Sequence, residues 1–133
     1  MRRIYISNEK KVLGSVCVVK ADATNPNLKL GGAVFSLYRM NEKKGRYEKR
    51  LSDLVTRDDG TLILEGLIPG EYMLVEDKSP KGYVFDNTKV PFCIDLDDEG
   101  KIIQLDTILI LNRPERKSCN CCKYFLERFC CNR

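Results

Sequence analysis

Residues 66–83 read GLIPGEYMLVEDKSPKGY, and a glutamate stands in this stretch where an apolar residue is expected. Side chains alternate across a β-strand, so Tyr72, Leu74 and Glu76 share one face. Turn signals, IPG at 68–70 and SPKG at 79–82, bound the strand on both sides. The face that would enter a hydrophobic core therefore ends in a carboxyl group.

Similar turn signals divide the rest of the chain into short segments. They are NPN at 25–27, NEKKG at 41–45, DDG at 58–60 and DDEG at 97–100. The runs between them are rich in Val, Ile, Leu, Tyr and Phe, which favours an all-β antiparallel sandwich over alternating helices and strands. We predict seven strands, at about 13–20, 33–39, 46–50, 61–65, 71–77, 90–95 and 101–112, and an edge strand at about 2–6.

The length of 133 residues suits one domain with a short appendage. No stretch approaches the roughly 20 apolar residues that span a bilayer, and the start MRRIYISNEKK lacks the apolar core of a signal peptide. From Arg113 onward six basic residues stand against two acidic ones, so the net charge of +4 lies in this tail. We therefore divide the chain into an N-terminal extension (1–12), a sandwich domain (13–114) and a basic, cysteine-rich tail (115–133).

Two further strands repeat the pattern of an apolar stripe that ends in a polar group. In VCVVK the stripe ends in Lys20, and in ILILN one stripe ends in Asn112. In the second strand the opposite face, with Leu109 and Leu111, is equally suited to the core. Alternation alone therefore leaves the side on which Asn112 lies open.

Four segments carry a resemblance to a known family: GSVCVVKAD (14–22), LGGAVFSLYR (30–39), the run from DDG to KGY (58–83) and LNRP (111–114). Over about residues 13–114 the chain resembles the collagen-adhesin B-type, or SpaA-like prealbumin-like, domain of Gram-positive surface proteins and pilins. The run at 66–83 is the most specific part. The resemblance implies a transthyretin-like, Ig-like sandwich of about seven strands.

The resemblance also implies a covalent site. Many members of the family form an internal amide, an isopeptide bond, between a first-strand lysine and a last-strand asparagine, promoted by a buried acid. The matching positions here are Lys20, Asn112 and Glu76. Burial disfavours the lysine ammonium and favours the neutral carboxylic acid, which can shuttle protons and help ammonia leave. The alternative is a partly buried Lys20–Glu76 ion pair with Asn112 hydrogen-bonded alongside.

The seven cysteines fall into two groups. Cys17 and Cys93 stand alone in strand-like sequence, and we expect them to be small, buried, reduced side chains. Five others crowd the tail and are candidates for disulfides within or between chains, for zinc ligands, or for reduced thiols without a defined role: Cys119, Cys121, Cys122, Cys130 and Cys131. Zinc is less favoured because their spacing fits the usual C-x₂₋₄-C pairs poorly.

The sequence offers little for catalysis or nucleic-acid binding. It contains no histidine, which removes the usual Ser–His and Cys–His pairs, and no glycine loop of the phosphate-binding type. We expect no enzyme, no cofactor, no nucleic acid and no membrane span. The expected function is a structural or adhesive module of a bacterial surface or envelope protein, which would contact host matrix or other surface proteins.

Two alternatives remain for the function of the whole chain. The first is a coat-type structural protein that self-associates through its tail cysteines, which would suit a chain without an export signal or sorting motif. The second is a zinc-binding interaction module in which the sandwich is only a scaffold. A chain of this kind could also be a fragment of a longer surface protein.

Overall fold

The computed structural model describes residues 12–115, which form seven β-strands. They are β1 (Gly14–Asp22), β2 (Val34–Asn41), β3 (Arg46–Val55), β4 (Thr61–Leu67), β5 (Gly70–Lys78), β6 (Lys89–Ile94) and β7 (Ile108–Asn112). The predicted all-β fold is confirmed, and no helix within 12–115 could cross a membrane. The predicted edge strand at 2–6 and the five tail cysteines lie outside these residues.

The strands form two sheets. One has the order β4-β1-β7 and the other β3-β2-β5-β6. Neighbours are antiparallel except β1 and β7, which run parallel with Lys20 opposite Ile110 and Asp22 opposite Asn112. A parallel pair needs a long connection rather than a hairpin. The chain therefore completes the four-stranded sheet before β7 returns to the side of β1.

The core lies between the sheets and is built by alternation along each strand. Every second residue of β1 and β5 is buried, including Val16 and Val18 on one side and Tyr72 and Leu74 on the other. The rings of Tyr72 and Phe92 stack with their centroids 5.3 Å apart. The same alternation carries Lys20 and Glu76 into the interior, two residues beyond Val18 and Leu74, at the next inward-facing position of each strand.

The structure places Asn112 on the buried side of β7. Ile110 is buried, whereas Leu109 and Leu111 are 52% and 42% exposed on the outer face of the three-stranded sheet. The face that alternation left open is thus the one that ends in Asn112. The first, middle and last strands of the sandwich each direct a polar group into the same interior.

Two strand predictions differ from the structure in extent. The single strand predicted at 101–112 is shorter, because the DDEG turn folds the chain back and Ile102 forms a bridge with Leu96. Only the last five residues of that segment reach β1 and form β7. The strand predicted at 46–50 continues to Val55, through register shifts in its pairing with β2 and a positive φ of 57° at Asp53.

The expectation that Cys17 and Cys93 are buried is wrong. Cys17 is half-buried and Cys93 is exposed, and both are free thiols. The reason is again alternation, since Cys17 lies between the inward-facing Val16 and Val18. Cys93 has the same relation to its buried neighbours in β6. Both cysteines therefore point away from the core.

Candidate functional site

Lys20, Glu76 and Asn112 meet inside the sandwich. Their exposed fractions are 0%, 0% and 2%. Lys20 Nζ donates to Glu76 Oε1 at 2.8 Å, and Asn112 Nδ2 donates to Glu76 Oε2 at 3.1 Å. The carboxyl group on β5 thus lies between an amine on β1 and a carboxamide on the neighbouring strand β7.

Strand register explains this meeting. Lys20 lies opposite Ile110 in the parallel β1–β7 pair, so Asn112 occupies the next inward position on the adjacent strand. Glu76 reaches both from the facing sheet, where it lies opposite Phe35 of β2. The Phe35 ring also contacts Lys20, with Nζ 5.6 Å from its centroid. Lys20 and Asn112 are therefore held by the β1–β7 pairing, which has no register shift, and Glu76 is held by its pairing with β2.

The surroundings of Lys20 disfavour its protonated form. Burial lowers the pKa of Lys20 below its ordinary value of 10.5, and the hydrogen bond and charge of Glu76, together with the charge of Asp86, oppose this shift. A buried charge is tolerated only when it is paired, and burial shifts the equilibrium towards the neutral form of the group. Transfer of one proton from the ammonium to the carboxylate would leave a neutral amine beside a carboxylic acid.

The carboxamide of Asn112 is only partly satisfied. Its Nδ2 donates to Glu76 and also to the backbone carbonyl of Val84, at 3.3 Å. Among the described residues no donor reaches its Oδ1, although that oxygen is buried. An unsatisfied buried acceptor costs about 1–3 kcal/mol. Rotation of the carboxamide would bring Oδ1 towards Glu76, which can satisfy it only as the protonated acid.

The structure thus brings together the three residues that the resemblance singled out, while the covalent bond between them stays a prediction. The tail cysteines lie outside the described residues. Within 12–115 no group of three potential metal-ligating side chains occurs. Sequence reasoning missed Asp22, which is buried one inward position beyond Lys20 and hydrogen-bonded to Tyr83. Continuing the alternation of β1 by one step would have found Asp22.

The comparison with family models identifies the domain. Residues 14–107 match the model of the SpaA family, described as a prealbumin-like fold domain. The chain belongs to this family. The matched range contains Lys20 and Glu76 and ends before Asn112. No match was found among curated protein sequences.

Solved structures with the same fold include pilins and a pilus adhesin. The major pilin subunit BcpA of Bacillus cereus is 32% identical, with a TM-score of 0.54 over 76% of this chain and 28% of BcpA. The streptococcal ancillary pilin is 26% identical, with a TM-score of 0.61 over 81% of this chain and 31% of that one. The pilus adhesin RrgA of Streptococcus pneumoniae gives 0.67 at 24% identity, over 82% of this chain and 16% of RrgA.

This SpaA-family chain spans less than a third of the length of each of these three relatives. It therefore matches only a part of each of these proteins. The relatives with 25% identity or more that are named here are pilins, which agrees with the expectation of a structural module rather than an enzyme.

Proposed function

We propose that this domain is a load-bearing unit of a Gram-positive surface protein or pilus, stapled by an amide between Lys20 Nζ and Asn112 Cγ. The observation that supports the bond is the buried triad, in which Glu76 hydrogen-bonds to both reacting side chains. The surface location and the adhesive or fibre-forming role rest on the relatives. Partners would be other subunits of the same surface structure or host matrix proteins.

The chemistry begins with proton transfer inside the Lys20–Glu76 pair. The neutral amine attacks Asn112 Cγ while the Glu76 acid donates its proton to Oδ1. The resulting carboxylate removes a proton from Nζ and returns it to Nδ2, so that the Cγ–Nδ2 bond breaks and ammonia leaves. Glu76 then takes back the proton from Oδ1, which restores the carbonyl. The net change is one Nζ–Cγ bond formed and one Cγ–Nδ2 bond broken, and no oxidant or external co-reactant is needed.

The buried interior accelerates this reaction in two ways. Three side chains on paired strands are held in contact, which replaces an encounter by a fixed geometry. Burial of the triad keeps water from competing with the amine. The reaction consumes its own side chains and runs once per chain, which is consistent with a structural protein.

The bond would change how the domain bears force. It joins the adjacent parallel strands β1 and β7, and almost the whole domain lies between these two strands in the sequence. Tension applied at the two ends would pass through the amide, and the chain between residues 20 and 112 would not extend. An amide also resists reduction, unlike a disulfide.

Intact-mass measurement of the full chain in denaturant and reductant tests the proposal. The chain is expected to be lighter than its sequence mass by one ammonia. Glu76→Gln is expected to keep its own full sequence mass, because the proton shuttle is lost. Glu71→Gln, an exposed glutamate on the same strand, is the matched control and should still lose ammonia. A wild-type chain with its full mass would show an unreacted buried ion pair and contradict the proposal.

A further inference from the structure

A second set of contacts lies next to the triad, at the ends of the same three segments. Tyr83 Oη donates to Asp22 Oδ2 at 2.7 Å. The other oxygen of Asp22 accepts from the amides of Thr24 and Asn25 and from the Thr24 hydroxyl, at 2.7–3.1 Å. Asp22 is buried, and these bonds hold the pKa of its carboxyl at about 2. Its side chain is thus fixed on both sides.

The loop that carries Tyr83 also forms backbone hydrogen bonds with the segment just after Asn112. The amide of Val84 donates to the carbonyl of Arg113 at 2.9 Å, and the amide of Glu115 donates to the carbonyl of Gly82 at 2.9 Å. Tyr83 forms an antiparallel bridge with Pro114 between these two bonds. The loop after β5 is therefore paired with the segment that follows β7.

We call Asp22, Tyr83, Val84 and Pro114 the latch. Each residue of the triad is followed along the chain by a latch member: Lys20 by Asp22, Glu76 by Tyr83 and Asn112 by Pro114. The two sets are also joined directly, because the Val84 carbonyl accepts from Asn112 Nδ2. The three segments that carry the reacting groups are thus tied together a second time, one step away from the reaction.

We propose that the latch orients the Asn112 carboxamide for cross-linking and that Tyr83 is a positioning residue for this reaction, an inference that rests on the proposed function. Val84 holds its carbonyl beside the carboxamide, 3.3 Å from Nδ2, which confines the group to one plane, so that a half-turn about Cβ–Cγ brings Oδ1 to the Glu76 acid without moving Cγ away from the Lys20 amine. The Tyr83–Asp22 hydrogen bond keeps Val84 at this distance. Small misplacement of reacting groups can slow a reaction roughly a hundredfold.

The test is the rate of cross-linking in Tyr83→Phe. Full-length chains are synthesised in a cell-free system, sampled into acidic denaturant at intervals, and weighed to follow the loss of ammonia. Tyr83→Phe is expected to react roughly tenfold to a hundredfold more slowly than the wild type. Asp22→Asn keeps an oxygen for the Thr24 turn and an amide that can donate to Tyr83, so it should react faster than Tyr83→Phe.

Tyr72→Phe is the matched control. It removes another tyrosine hydroxyl, which donates to the Ile68 carbonyl at 2.5 Å near the opposite end of β5. A merely structural role predicts equal rates for the two variants, whereas the latch predicts slow reaction only for Tyr83→Phe. Their thermal stabilities are compared in a Lys20→Met/Glu76→Gln background, where no bond can form.

The outcomes separate this inference from the proposed function. Equal rates in the wild type, Tyr72→Phe and Tyr83→Phe would overturn the role of the latch and leave the cross-link standing. A wild type that never loses ammonia would overturn the cross-link and the latch together. If Tyr83→Phe does not fold, Asp22→Ala, which removes the acceptor of the Tyr83 hydroxyl, decides, and wild-type speed in that folded variant would overturn the role.

Discussion

Replacing Lys20 by methionine and Glu76 by glutamine in the same chain removes the cross-link while keeping two buried side chains of similar size. The lost amide would have closed the chain from residue 20 to 112, for which the loop-entropy model gives roughly 4–5 kcal/mol. Because Lys20 is consumed in the amide, the cross-linked wild type has no Lys20–Glu76 ion pair to lose, so the lost cross-link dominates the change in free energy. For a domain of about 100 residues, each kcal/mol shifts Tm by about 4–8 °C. The double variant should therefore melt about 20 °C or more below the wild type.

Thermal unfolding followed by circular dichroism in reducing buffer measures this difference without a contribution from the tail cysteines. Glu76→Gln alone also blocks the bond but leaves Lys20 buried without its partner, a loss of about 3–5 kcal/mol when a buried pair is broken. The expected order of stability is wild type, double variant, then Glu76→Gln. A double variant that melts within about 5 °C of the wild type would refute the argument, because that gap is worth only about 1 kcal/mol.

Three further predictions follow from the same structure. The pKa of Asp22 is about 2 in the folded chain and 3.8 ordinarily, so its contribution to stability is present above pH 3.8 and is lost as the pH falls through about 2. Denaturant titrations at several pH values should show this loss, and Asp22→Asn should make the free energy of unfolding less dependent on pH in this range. Gly60→Ala should destabilise the fold more than Gly45→Ala in the same titration. Both glycines have a positive φ, but only at Gly60 does backbone lie within 3 Å of the added Cβ, where the Lys20 carbonyl oxygen is 2.8 Å away. Equal losses of stability in the two variants would contradict this. In single-molecule pulling, the chain between residues 20 and 112 should extend in Lys20→Met/Glu76→Gln but not in the wild type. At about 3.3–3.6 Å per residue, the difference in extension is roughly 300 Å. Full extension of the wild type would contradict the proposed amide.

The inward face of β5 could be predicted because its alternation is clear. Tyr72 and Leu74 are buried, and Glu76 continues their stripe into the interior. Turn signals likewise gave the number of strands. Register along a single strand is a local property, so a short stretch of sequence is enough to show it.

The side of Asn112 could not be predicted by alternation, because both faces of β7 are apolar. Leu109, Leu111 and Ile63 lie exposed on the outer face of the three-stranded sheet, where polar residues would have marked the direction. The resemblance to a family supplied what the pattern lacked. An apolar outer face also explains why a short parallel strand was mistaken for the end of a long one.

The latch was beyond a reading of the sequence for a different reason. Tyr83 and Asp22 are 61 positions apart, and their contact depends on the loop after β5 pairing with the segment that follows β7. Alternation along β1 could have placed Asp22 inside, but nothing local marks Tyr83 as its partner, since a tyrosine after SPKG is ordinary. Such contacts are fixed by tertiary pairing rather than by periodicity.

Peptide mapping of the wild-type chain tests the central claim most directly. After reduction and digestion with trypsin, tandem mass spectrometry should find a branched peptide that joins Lys20 to Asn112, lighter by one ammonia and uncleaved at Lys20. Two separate linear peptides, with cleavage after Lys20 and an unmodified Asn112, would contradict the account.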